Sequence, residues 1–211
     1  MKSIVKTLAL LLSLYAFHPA ETMSQNIPLP PADKSNPTTL MQALEQRHTG
    51  REFSPTPIGL QQLSDILWCA NGVNRDNGRR TAPSAINCQE IEIYAFMEEG
   101  VYQYLPEKHL LKIVKKGDYR DKAAMQPFAK KAPLLLIFVA NYDKMERMDE
   151  NGKTFYGATD AGFVSQNVYL YCAAANLECV VLGSIQRDEI AKLIPFKGKA
   201  ILGQAIGFAA E

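Results

Sequence analysis

The 211-residue sequence predicts one layered α+β domain, a buried sheet with helices on both faces. Three observations carry this. Residues 134–140 (LLLIFVA) form a continuous apolar run of strand length, the pattern of a strand covered on both sides. Residues 159–183 (TDAGFVSQNVYLYCAAANLECVVLG) join a helix that is apolar nearly all round, and therefore buried, to a short interior strand. Along the chain the periodicities read helix, helix, hairpin, helix, strand, buried helix, strand, helix, strand, with no internal repeat. With 47% hydrophobic residues the chain fills one core and needs no second domain.

In chain order, Lys2 and Lys6 precede the apolar run LALLLSLYAF and then polar residues. That is the layout of a secretory signal peptide, too short for a stable membrane span. Residues 1–23 are thus expected to direct export, to the periplasm, and to be cleaved after Ala20 or near Ser24. Residues 24–37 are proline-rich and predict an extended tether rather than part of the core. Residues 38–211 then form the domain. Asn36-Pro37 supplies a cap and a first-turn proline for a helix with Leu40, Met41 and Leu44 on its apolar side. Leu60, Leu63, Ile66, Leu67 and Ala70 mark a second helix, stopped by Asn71-Gly72. Residues 73–90 make a long polar loop. Residues 91–96 and 101–105 read as a hairpin about Gly100. Residues 121–131 fit a helix with a solvated lysine face, and 141–153 a charged surface excursion. In the central helix Ala161, Val164, Val168, Cys172 and Ala175 trace one face, with Phe163, Leu170 and Ala174 opposite. It ends near Asn176, the strand 179–182 is closed by Gly183, and a helix at 188–194 and a strand at 201–208 complete the domain.

Charge narrows the partners. Lysine plus arginine number 23 against 22 acids, a net charge of +1, so nucleic acid and anionic membranes are not expected ligands. Four cysteines in apolar or isolated settings suggest neither a metal site nor a disulfide scaffold, and three histidines leave little for a metal cluster.

Two stretches carry chemistry. Arg47-His48-Thr49-Gly50-Arg51-Glu52-Phe53 offers planar donors, a hydroxyl and a glycine for close backbone approach, which suits an anionic phosphate ester. A charged, solvated helix end has the same composition. Thr81-Ala82-Pro83-Ser84-Ala85, with Asn87 and Gln89, provides amides and small side chains that suit the edge of a heteroaromatic ring. A plain surface loop reads equally well.

These two motifs, followed by Asp160-Ala161-Gly162, Gln166-Asn167 and Gly183, resemble in residue type and order the FMN-dependent nitroreductases, from about Thr38 to Phe208. The hairpin Tyr102-x-Tyr104 and the loop RTAPSA are similar to the subgroup that includes the SagB-type dehydrogenases. The resemblance implies a mostly antiparallel sheet and a homodimer with two FMN sites at the subunit interface. It implies that Arg47 and Thr49 hold the flavin phosphate and ribityl chain, with His48 beside them. For the further basic residues that many family members bring to the phosphate, either Arg47 and its neighbours suffice here or Lys197 or Lys199 substitutes. Arg51 would stand near N1 and O2 of the ring, where a fixed cation favours the reduced anion. Pro83, Ser84, Ala85 and Asn87 would line the ring from the other subunit, and the backbone of Leu182 and Gly183 would approach N5. The implied activity is a ping-pong oxidoreductase that uses no side-chain acid or base. It would take electrons from a donor such as NAD(P)H and pass them to a nitroaromatic, quinone-type or other small acceptor. Two other readings are an exported FMN-binding protein without turnover and a SagB-like dehydrogenase of a modified peptide or small ring.

Overall fold

The structure, a computed structural model, describes residues 25–210, so the expected signal segment lies outside the described residues. Strand β5 (Leu134–Asn141) is its axis. Leu134, Leu136, Phe138 and Ala140 point into one core layer and Leu135, Ile137 and Val139 into the other. That two-sided burial is why no polar residue interrupts the run. β5 lies between β2 (Ile91–Phe96) and β7 (Gly198–Gly207). The full order adds β1 (Ile27–Pro28), β3 (Gly100–Leu105), β4 (Leu110–Lys116) and β6 (Glu178–Leu182), giving β1-β4-β3-β2-β5-β7-β6, every pairing antiparallel.

On one face lie α2 (Leu60–Asn71) and α4 (Glu150–Ala174), with α1 (Leu40–Gln46) packed on α4. Leu63, Ile66 and Leu67 of α2 and Ala161, Val164 and Val168 of α4 close that core. The other face is covered by α3 (Arg120–Ala123), a 3-10 turn (Ala129–Lys131) and α5 (Arg187–Leu193), through Ala123, Ala129 and Ile190. The layered α+β fold with an antiparallel sheet is therefore as expected.

Several local expectations are corrected. The cap of α1 is Thr39, not Asn36: its hydroxyl accepts the Gln42 amide while Gln42 Oε1 takes the Thr39 amide at 2.9 Å. Such a reciprocal box satisfies two end amides and outweighs the proline signal. Leu40, Met41 and Leu44 do not face the core; only Ala43 of α1 is buried. Residues 25–37 are extended, but they are not a free tether. Leu29 is a core residue whose amide donates to the His109 carbonyl at 3.1 Å, and the Asp33 amide donates to Asp65 Oδ1 at 2.8 Å. The helix expected over 121–131 stops at Ala123, because Ala124 bridges Ile185 and Pro127 lacks the amide that a helix needs. α4 starts earlier than expected, at Glu150, where Asp149 accepts the Gly152 amide at 2.7 Å. Among the described residues no helix is long and apolar enough to cross a membrane.

Candidate functional site

Past α1 the chain crosses to the outer edge of β6. The Gly50 amide donates to the Cys179 carbonyl at 3.0 Å, and the Ser54 amide donates to the Phe208 carbonyl at 2.9 Å. A Cβ at Gly50 would take the place of the Glu178 carboxylate, so glycine lets that side chain lie across the segment and reach His48. The segment carrying the basic motif is thus bound to the sheet.

Tyr169 of α4 organises that segment. Its hydroxyl accepts the Val181 amide at 2.8 Å and meets Thr49 Oγ1 at 3.3 Å, while the Arg47 guanidinium lies 5.3 Å from its ring centroid. His48 places Nδ1 3.0 Å from the Gln46 carbonyl and Nε2 3.2 Å from Glu178 Oε1. Both partners accept, so the Gln46 carbonyl first and Glu178 next hold the imidazole pKa above its ordinary value. Arg51 is exposed and stands 5.9 Å from the Phe128 ring centroid. Neither the Arg47 nor the Arg51 guanidinium forms an ion pair or a hydrogen bond among the described residues, so their side-chain donors are unspent.

Beyond Leu182 the strand ends at Gly183, which is exposed and has no atom within 4 Å of the place a Cβ would take. Arg187 fixes this bare backbone: its guanidinium donates to the carbonyls of Gly183 at 3.1 Å, Ala200 at 2.9 Å and Ile201 at 2.8 Å. The result is a rigid shelf of backbone beside two uncommitted cations.

The second motif forms a tight turn. The Thr81 amide donates to the Gly72 carbonyl, Pro83 is exposed, and a 3-10 turn spans Ala85–Asn87. Ile86, Asn87 and Gln89 have φ of 45°, 58° and 51°, left-handed backbone that favours glycine. The Ala85 amide donates to Asp160 Oδ2 at 2.8 Å, and the Gln89 amide to Ser84 Oγ at 2.9 Å.

Arg47, His48, Thr49, Leu182 and Gly183 therefore gather around Tyr169 and β6, whereas Pro83, Ser84, Ala85 and Asn87 gather against Asp160. Asp160 and Tyr169 stand nine positions apart on α4, about 13 Å at the rise of a helix, so the two groups lie at that spacing along one helix. Lys197 and Lys199 do not reach the basic segment. Lys197 pairs with Asp143 at 2.9 Å, and Lys199 lies opposite Ala140, roughly 25 Å along β7 from Gly207, which pairs with Glu178. The sequence reading passed over Tyr169, Glu178, Phe128 and Arg187. Tyr169 had one visible signal, a hydroxyl-bearing ring beside the aliphatic stripe of α4. No group of three or more His, Cys, Asp or Glu side chains that could hold a metal occurs among the described residues.

Comparison with known proteins bears on the fold as a whole. Residues 44–208 match the model of the Nitroreductase family. A curated protein of Methanocaldococcus jannaschii that bears the name nitroreductase is 33% identical over 178 residues, covering 80% of this chain and 90% of its own length. A crystal structure from Ralstonia eutropha, titled as a nitroreductase, superposes with a TM-score of 0.85 at 39% identity, covering 90% of this chain and 92% of that one. A chain of the E. coli microcin synthetase complex shares the fold, with a TM-score of 0.69 at 17% identity over 100% of this chain and 85% of that one.

Proposed function

The chain belongs to the nitroreductase family, and on that premise we propose that it is an FMN-dependent oxidoreductase whose two sites are completed across a homodimer. The observation that carries this reading is the pair of uncommitted guanidiniums, Arg47 and Arg51, beside the open, rigid backbone at Gly183. A planar anionic ligand fits there: the donors meet its charge and the glycine leaves room for its ring.

FMN, when bound, supplies two-electron transfer through N5, taking electrons from a donor such as NAD(P)H and passing them in a ping-pong cycle to a nitroaromatic, quinone-type or other small acceptor. The chain's own part is to bind and orient. Arg47 and Thr49, steadied by Tyr169, hold the phosphate end, with His48 adding charge when protonated. Arg51 offers a cation toward the ring, and Arg187 keeps the Leu182-Gly183 backbone from moving when a ligand approaches it.

A second copy as the source of the ring-facing turn is what family membership suggests, and the apolar side chains exposed on α1 and α4, Leu40 at 63%, Met41 at 72% and Phe155 at 64%, give a partner apolar area to cover. Residues 1–23 we read as an export signal, which assigns the enzyme to the periplasm.

The test is to purify the chain, record its visible spectrum, size it in solution and titrate it with FMN. A yellow dimer, or a colourless one that becomes yellow with FMN, is the expected result. A monomer that takes up no FMN in excess overturns the reading.

A further inference from the structure

We propose that Glu90 and Asp160 share a single buried proton, and that this proton holds the turn at Ser84 to Gln89 in its ligand-ready shape. The first half stands on the burial of both carboxyls and the want of a partner for either Glu90 oxygen; the second rests on the flavin reading above.

Glu90 is fully buried and Asp160 is 2% exposed. Neither Glu90 carboxyl oxygen receives a hydrogen bond among the described residues, although its side chain meets that of Asp160. Two ionised carboxylates cannot bond to one another, and side by side in a desolvated site they cannot both stay charged. One proton between them turns the repulsion into a strong O–H···O bond. Glu90 is the group that carries it, because Asp160 already accepts the Ala85 amide whereas an ionised Glu90 has only partial relief from its own amide. Burial first, and contact with Asp160 next, push the Glu90 carboxyl up to about 7.

The charged and titratable surroundings do not replace this partner. Cys88 sits on the same loop, where Glu90 and Asp160 push its thiol up after burial and Arg147 partly offsets them. Lys144 partly offsets the shift but is committed to Glu92 Oε1 and to the Gln89 carbonyl, each at 3.3 Å. The proton thus controls the contact that matters. Its loss sets two negative charges against each other and drives Asp160 away from the Ala85 amide. That amide anchors a turn with three left-handed non-glycine residues, a conformation that persists only while its surroundings enforce it. Gln89 supplies the remaining anchors, its amide to Ser84 Oγ and its Nε2 to the Gly78 carbonyl at 3.0 Å. Ser84 and Asn87 are then positioning residues governed by a proton that touches no ligand.

The experiment compares the full chain with its Glu90→Gln variant, a neutral isostere that still donates to Asp160. Without added ligand, infrared difference spectra should show a protonated-carboxyl C=O stretch in the parent protein below neutral pH, absent from Glu90→Gln. Because the folded acid binds its proton more tightly than the unfolded one, stability is present in full at low pH and falls as pH rises through about 7. Glu90→Gln should lack that fall, and Asp160→Asn, which leaves Glu90 without a charged neighbour, should weaken it. With FMN, the apparent dissociation constant of the parent relative to Glu90→Gln should rise about fivefold from neutral pH to one unit above it. His48 titrates in both proteins and cancels in that ratio. An infrared band that survives in Glu90→Gln, or identical pH profiles, overturns the proposal. If no variant binds FMN at any pH, the flavin reading fails instead, and the infrared and stability comparisons still decide where the proton resides.

Discussion

At Gly50 an added methyl group would take the place of the Glu178 carboxylate, the free end of a side chain that can swing aside and give up its contact with His48. Gly50→Ala should therefore change the melting temperature little and lower the His48 titration midpoint. A His48 midpoint in Gly50→Ala that matches the parent would remove this account of the basic segment. The Arg47 side chain touches only the Tyr169 ring among the described residues, so Arg47→Ala should leave stability nearly unchanged and deplete the purified protein of FMN. Unaltered flavin content would take Arg47 out of the site. For His48 the sign follows from its raised pKa: the protonated ring donates to Gln46 and Glu178, so its contribution is complete below the ordinary value of 6.5 and fades as pH climbs through the folded one. NMR titration of the ring should give a midpoint above that value, and Glu178→Ala should bring it down. Arg47, His48 and Thr49 were legible as a cluster because their donors crowd into five residues. Tyr169 was not, since a tyrosine within an apolar helix reads as packing until the strand opposite it is known.

The elements differ in how plainly the chain announces them. β5 and α2 are nearly self-evident, one unbroken by any polar residue and the other bounded by Asn71 and Gly72. β4, with the sequence LLKIVKK, was missed because three lysines mask its alternation. The helix expected after Tyr119 shrank to Arg120–Ala123 because pairing of Ala124 with Ile185 outweighs local preference. For α1 the periodicity was right and the direction wrong. Its apolar side faces outward, since Ala43 alone is small enough to sit close against α4. That side belongs to the proposed partner. Replacing Leu40 and Met41 together by glutamate should give a folded monomer by light scattering with FMN binding sharply weakened, whereas a double variant that remains dimeric would place the interface elsewhere.

For the molecule as a whole, the antiparallel order and the two core layers could be anticipated from alternating burial and from resemblance. A ligand site divided between two copies is expected from resemblance alone, because no single sequence shows whether residues 47 and 87 serve one site. A mixing experiment addresses it directly. One variant carries Arg47→Ala and Arg51→Ala, the other Ser84→Ala and Asn87→Ala, and each alone should bind FMN poorly. Denatured together and refolded, hybrid dimers should regain one good site of two, visible as flavin absorbance that neither parent shows. No gain on mixing would mean that each copy builds its site alone. The attachment of the basic segment to the rim of β6, through Gly50 and Cys179, has a final consequence. Whatever loosens that segment uncovers unpaired backbone at the margin of a sheet, the surface on which foreign strands add. Chain stripped of its flavin should accordingly thicken into ribbon-like aggregates on warming, with rising thioflavin fluorescence that added FMN suppresses.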